Sequence, residues 1–175
     1  FNDNERNYHV LYQVCSDGMD SALKAKLGLG APSDYAYLSK SALTVQGIDD
    51  SADVVIMRQA MSGLGVGKED QEAMFGILAA VLFLGNVKFV NGDDGSSVKI
   101  HPSTQAAVRS AAEILQIPYA EMENRMLTRT ITVMRKDIVK PLEMDTAVDN
   151  KDSIAKSLYS KLFDWIAARI NETLF

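Results

Sequence analysis

The 175-residue chain is 47% apolar and 23% charged, the balance of an ordinary globular unit long enough to bury about 70% of its unfolded surface in one core. Its 18 basic and 23 acidic residues leave a net charge of −5, which excludes a chain-wide basic field for nucleic acid or acidic lipid and leaves only local patches. The lone cysteine, Cys15, excludes an internal disulfide and fits a reducing compartment; with His9 and His101 it cannot assemble a His/Cys zinc site, and no apolar run reaches the roughly 18 residues of a membrane span.

The chain opens on Phe1 rather than Met, in a polar stretch unlike a signal peptide. The pattern at its other end is still helical at Phe175. A piece cut from a longer polypeptide is therefore expected, able to carry part of a site without the chemistry. Tyr8 to Val14 is a compact apolar run that reads as a helix. Ser21 to Leu29 reads as a second, ended by Gly28 and Gly30 before Pro32. After Tyr35-Ala36-Tyr37-Leu38 a polar loop leads to Asp50 or Ser51, either of which can cap the next helix. That helix carries Val54, Met57, Met61 and Leu64 and stops at Gly63 or Gly65.

Glu69 to Leu84 is apolar on every face, the mark of a buried helix, with Gly85-Asn86 as its left-handed end. Val87 to Val90 and Val98 to His101 alternate around Asn91 to Ser97, a β-hairpin pattern. Ser103 is placed to cap a helix over 104–116, and Pro118 opens another to Leu127. Thr130 to Val133 alternates with β-branched residues. Met134-Arg135-Lys136-Asp137 reads as a polar turn, and Ile138-Val139 returns before Pro141. The last helix is expected from near Asp149. Ile154, Leu158, Leu162, Ile166, Ile170 and Leu174 form its apolar row, Tyr159, Phe163 and Trp165 widen it, and Asp152 and Lys156 make an i, i+4 pair. The fold class is mainly α with one or two small β-hairpins, in a single unit over 1–175.

Few residues suggest chemistry. Ser62 to Lys68 has the glycines of a phosphate loop, but Ser62 stands where the first glycine is required. Glu69 stands where Ser or Thr would reach Mg²⁺. Helix-ending glycines explain the stretch better. Cys15 and His9 lie six residues apart, not on one helical face, so a buried structural thiol is expected. His101 has no evident partner, and most of the eight methionines read as core filler; Met134 differs in sitting at a loop tip. The strongest candidate is the Arg129 to Leu142 excursion. Arg129, Arg135, Lys136 and Lys140 against Asp137 make it locally positive, which suits an acidic protein surface or a phosphate. Asp93-Asp94 is its acidic counterpart in the first hairpin.

Several segments, in order, resemble a known family. Glu5-Arg6-Asn7-Tyr8-His9-Val10-Leu11-Tyr12-Gln13 is similar to the ERNYHxFYQ segment of myosin motor domains. Tyr35-Ala36-Tyr37-Leu38 with Gly47-Ile48-Asp49-Asp50 resembles the family's Y-x-Y-L and G-x-x-D stretch. Ile77 to Phe89 resembles I-L-A-A-I-L-H-L-G-N-I-x-F, with Phe83 in place of the frequent His. Asp152 to Tyr159 resembles D-A-L-A-K-x-L-Y, and Leu162-Phe163-Asp164-Trp165-Ile166 with Arg169-Ile170-Asn171 resembles L-F-x-W-[LIV] and R-I-N.

The resemblance implies a piece of an ATP-driven motor of the cytoplasmic actin cytoskeleton, mainly α within a larger α/β fold. It would lie between switch I and switch II, in the upper subdomain of the actin-binding cleft. MgATP would belong to the parent motor, whose phosphate loop and switches fall outside this chain, so the fragment alone should be inactive. The implied partners are the actin filament and the remainder of the motor, with no nucleic acid and no direct membrane contact. Arg129 to Leu142 falls where these proteins carry an actin-contacting loop. Met134 and Ile138 would supply apolar contact there, and Arg135 and Lys136 charge. The family's acidic or phosphorylatable loop position falls on Asp137 by chemistry, with Lys136 competing on strict spacing. Asp93 and Asp94 fall in a second filament-facing loop, and the final helix would couple the cleft to the nucleotide site. The rival reading is a non-motor helical interaction module; a free-standing enzyme ranks third.

Overall fold

In the computed structural model, residues 5–92, 97–133 and 135–174 are described, the side chains of Val133 and Leu174 excepted. Seven α-helices and two antiparallel two-stranded sheets follow in the order α1 (His9–Gln13), α2 (Ser21–Leu27), α3 (Asp50–Gly63), α4 (Lys68–Gly85), β1 (Phe89–Asn91), β2 (Val98–Ile100), α5 (Gln105–Ile114), α6 (Tyr119–Leu127), β3 (Thr128–Val133), β4 (Lys136–Pro141) and α7 (Met144–Leu174). The mainly α reading with two small hairpins holds.

Helix α4 organises the rest. Phe75, Leu78, Ala79 and Leu82 enter one core with Leu11, Tyr12, Val14, Leu38, Val54 and Leu162. Ala80, Val81 and Leu84 enter a second with Ile100, Val108, Ala111, Met122, Met126 and Ala155. A helix that divides two cores must be apolar on both sides, which is why its sequence shows no polar face. A third cluster of Val98, Leu142 and Ala147 sits where the first hairpin, the end of β4 and the start of α7 meet.

Several helix ends depart from expectation. Asp49, not Asp50 or Ser51, caps α3: one carboxylate oxygen accepts from the Ser51 and Ala52 amides, each at 3.0 Å. Asp49→Ala is expected to cost about 1 kcal/mol, read as a lower midpoint in chemical denaturation. Ser103 caps nothing. Pro102–Thr104 forms a 3₁₀ turn ahead of α5, and the His101 ring accepts from the Ser103 amide at 3.1 Å. His101 therefore has a partner and a local structural task.

Gly85-Asn86 is no left-handed end. Gly85 is the last residue of α4, and Asn86 is right-handed at φ −81°. Gly85 is needed for close approach, since a β-carbon there would lie 2.6 Å from the Tyr37 ring. Asn86 then grips the neighbouring segment, accepting from the Ala36 amide at 2.7 Å and donating to the Asp34 carbonyl at 2.8 Å. The Gly28 and Gly65 expectations hold, with φ of +66° and +76° past the ends of α2 and α3.

Helix α7 begins at Met144, five residues earlier than expected. Ala147 is fully buried in the third cluster, so tertiary burial extends the helix where Thr146 and Val148 give it little intrinsic support. At 1.5 Å per residue, its 31 residues run about 45 Å. Leu162 is buried and Ile154, Leu158, Ile166 and Ile170 are half-buried, which supports the expected row; Leu174 belongs to it by spacing alone. Phe163 and Trp165 do not widen it: they are 63% and 40% exposed.

Candidate functional site

The β3–β4 excursion is a regular two-stranded ribbon. Its register pairs Thr128 with Pro141, Arg129 with Lys140, Thr130 with Val139, Ile131 with Ile138, Thr132 with Asp137 and Val133 with Lys136. Lys136 and Asp137 are therefore strand residues, not turn residues. Arg135, directly before β4, is held at φ +62°. The ladder wins over the polar turn pattern because each further pair satisfies backbone groups that would otherwise be left to water.

Side chains alternate along a strand, and directly opposed residues share a face. The register thus sorts the ribbon into two unlike faces. One carries Arg129, Ile131, Lys136, Ile138 and Lys140. The other carries Thr128, Thr130, Thr132, Asp137, Val139 and Pro141. Of the seven residues predicted as a site, Lys136 and Ile138 are brought together on the first face, and Ile138 is 43% exposed there. Asp137 is placed away from them, and its carboxylate accepts a 2.6 Å hydrogen bond from the Thr132 hydroxyl. Arg135 is exposed at the reversal. Met134, Asp93 and Asp94 lie outside the described residues. The first hairpin does close toward its tip, with the Gly92 amide donating to the Ser97 carbonyl at 2.7 Å.

The root of the ribbon is tied to α7. The Leu142 amide donates to the Leu127 carbonyl at 2.8 Å. The Asn150 side chain donates to the Arg125 carbonyl at 2.7 Å, at the end of α6 where β3 begins. The next two residues of α7 belong to a polar cluster inside the fold. The Tyr37 hydroxyl donates to Asp152 at 2.5 Å, and the Lys151 ammonium reaches the same oxygen at 2.9 Å. The Lys151 side chain is 8% exposed, and its ammonium sits 5.4 Å from the centre of the Tyr37 ring. Asp152 does not take the expected Lys156 as its ion-pair partner; the adjacent buried lysine is nearer.

Burial is the largest influence on Asp152 and would raise its pKa. The Tyr37 hydroxyl, the Lys151 hydrogen bond and charge, and then Lys156 outweigh it, so the carboxyl ends below its ordinary value. Burial, reinforced by the hydrogen bond to Asp152, pushes the Tyr37 phenol well above its ordinary range. Sequence reasoning missed Tyr37 and Lys151. For Lys151 a signal exists: it lies four residues from both Ala147 and Ala155, on the row those small buried residues define. At its far end α7 meets the α3–α4 loop, where the Thr173 hydroxyl donates to the Leu64 carbonyl at 3.0 Å.

That glycine loop does not fit a nucleoside triphosphate. No strand leads into it; α3 ends at Gly63, and Lys68 already begins α4. The Lys68 side chain is 76% exposed, with its ammonium 3.8 Å from Glu72. Glu69 and Asp70 fill the first turn of α4, where phosphates would have to sit. Cys15 is no nucleophile: it is buried, and desolvation pushes its thiol up to about 12 despite the lowering influence of Lys24. A thiol reagent at pH 8 is expected to leave the folded protein unlabelled and to label Cys15 stoichiometrically once denaturant unfolds it. Among the described residues, no group of three His, Cys, Asp or Glu could hold a metal ion. No described helix is long and apolar enough to cross a membrane.

Comparison with known proteins bears on the whole chain. The family described as myosin head (motor domain) matches residues 1–175. Myosin-1 of Arabidopsis thaliana is 36% identical over 173 residues, which cover 98% of this chain and 15% of that protein. Myosin-17 of the same plant is 34% identical, and Protein OPAQUE1 of Zea mays 36%; each match covers 98% of this chain and 11% of the relative. The chain thus spans a small fraction of the length of the curated relatives it matches.

Proposed function

The chain belongs to the myosin head (motor-domain) family, and from that premise we propose that it is the part of an actin-based motor that docks on the filament and relays docking inward. The carrying observation is the two-faced ribbon. It gathers Lys136, Ile138 and Lys140 on one exposed face, and a face of cations around apolar side chains is complementary to an acidic surface with apolar spots. Arg135 adds charge at the tip. Asp137, engaged by Thr132 on the reverse face, would tune the ribbon rather than touch the filament through the same surface.

The ribbon is rooted on α7 through Asn150 and Leu142, and α7 is fixed to the fold by Asp152 and Lys151. A shift of the ribbon would therefore move a stiff helix about 45 Å long and carry displacement toward the α3–α4 loop. Hydrolysis of MgATP is assigned to parts of the motor outside this chain, and no residue here takes a step in it. Filament affinity of the motor that contains this chain is expected to fall steeply with ionic strength, since exposed charges separated by about 10 Å are largely screened at 0.1 M salt. Co-sedimentation across a salt series checks this; an affinity indifferent to salt would sink the reading.

A further inference from the structure

Helix α4 divides two cores, yet one strip of it stays uncovered. Glu69, Glu72, Ala73, Gly76 and Ile77 recur at steps of three and four residues, which places them on one face, and they line a groove of about 810 Å³ between α2 and α5. Its apolar part lies around Gly76, where Ile77 and Ile114 are half-buried. Glycine is the poorest helix former after proline, so Gly76 weakens the interior of α4. What it provides is space. A β-carbon there would sit 3.3 Å from Ile114 and 3.8 Å from Leu27, and any longer side chain would have to enter the groove. The rim is acidic: three carboxylates line it against one ammonium, that of Lys26. Glu72 is shared by Lys26 at 3.4 Å and Lys68 at 3.8 Å. Glu69 and Glu113 are exposed, and among the described residues their carboxylates have no partner.

We propose that this groove docks a basic amphipathic helix of a partner protein, with an apolar side chain of the partner over Gly76 and its lysines or arginines on Glu113 and Glu69. Shape and charge carry the assignment together. The missing side chain at Gly76 lets a partner approach the backbone of α4 closely, and Ile77 and Ile114 give its apolar side chain something to rest on. Glu113 adjoins Ile114, the residue nearest the absent β-carbon, so one free carboxylate stands at the level of Gly76. Glu69 lies seven residues back along α4, about 10 Å. Two cations at i and i+7 of a partner helix span about the same 10 Å. Burying the apolar contact between them excludes water and strengthens both pairings. An acidic helix would set carboxylate against carboxylate and is rejected on charge. None of the lining residues belongs to the ribbon or to α7, so this surface is separate from the filament-docking face and does not rest on that reading.

The test uses the motor that contains this chain and a fluorescent peptide of leucine, alanine and lysine, about 18 residues long so that it is helical in water, with lysines at i and i+7 beside its leucine row. A second peptide carries glutamate in place of lysine. Binding is read by anisotropy, and the lysine peptide is expected to bind saturably while the glutamate peptide does not. Glu69→Gln with Glu113→Gln should weaken the lysine peptide about tenfold. Gly76→Lys supplies from α4 itself the cation a partner would bring, four residues after Glu72, the favourable order for a helical pair. It should abolish saturable binding and leave the hydrogen-exchange protection of α4 undiminished, which separates a filled groove from a damaged helix. Gly76→Ala leaves the groove open and should bind like the parent. A lysine peptide that fails to bind the parent motor overturns the proposal, and so does one that binds Gly76→Lys or the double glutamine variant as tightly as the parent. Equal binding of the glutamate peptide overturns it too. If Gly76→Lys loses protection, the isosteric glutamine variant decides alone.

Discussion

Replacing Asp152 by alanine is expected to destabilise the fold by about 2–3 kcal/mol. Breaking a buried ion pair by removing one partner costs about 3–5 kcal/mol, because the other charge is left in a poor solvent. The lower figure applies here because the Asp152 side chain is 34% exposed while that of Lys151 is 8% exposed, so water screens part of the interaction. The Tyr37 hydroxyl loses its acceptor in the same substitution, and the ammonium keeps only the face of the Tyr37 ring. For a domain of this size the loss reads as a fall in Tm of roughly 4–12 °C. Asp152→Asn retains an acceptor for Tyr37 and should lose about half as much. A cost under about 0.5 kcal/mol for Asp152→Ala would mean that the cluster is a surface pair with no hold on α7.

The same cluster sets a pH window. Asp152 titrates below its ordinary 3.8 in the folded protein. Its contribution is therefore present above that value and is lost as pH falls through the lower folded one. Tyr37 titrates above its ordinary 10.0. Its contribution is complete below that value and declines as pH rises beyond it. The cluster's own contribution should be flat between these limits, and Asp152→Asn should flatten the acid limb of stability; urea midpoints measured from pH 3 to 8 decide the acid side.

Much of this fold can be read from local pattern, and the reasons for the misses are physical. Helix α4 is legible because burial on both sides leaves an unmistakable composition from Met74 to Leu84. The first five residues of α7 are not, because Ala147 is held by Val98 and Leu142, residues no helical period links. Gly85 looks like a helix end from its neighbours; its task is set by a tyrosine 48 positions earlier, whose ring leaves no room for a β-carbon. The positive excursion was visible as charge, but its two faces depend on register. A polar Met-Arg-Lys-Asp run cannot reveal that two of its members lie in a ladder reaching Thr128 and Pro141. Asp152 was singled out with a helical partner at i+4, the nearest neighbour local geometry offers. Tyr37, 115 positions away, became visible only when the chain was folded.

Reversing the charge of the ribbon tip, Arg135→Glu with Lys136→Glu, is expected to weaken filament binding by about 10- to 100-fold, or about 1.4–2.8 kcal/mol. Both residues are exposed, and neither makes an ion pair among the described residues, so the fold has no internal use for either charge that the substitution would break. Long-range attraction between an acidic surface and a cationic tip acts mainly on the rate of association. Two reversals change the local charge by four, so association should slow most at low salt and the two proteins should converge as salt rises. The effect should also be directional. Asp137→Asn, on the reverse face with Thr132, alters the charge of the same strand by one and should shift affinity less than threefold. In the motor containing this chain, the ratio of filament-stimulated to unstimulated ATP turnover should fall toward one in the tip variant. Equal loss of both activities would indicate damage to the fold, and an unchanged ratio would show that the filament is held elsewhere.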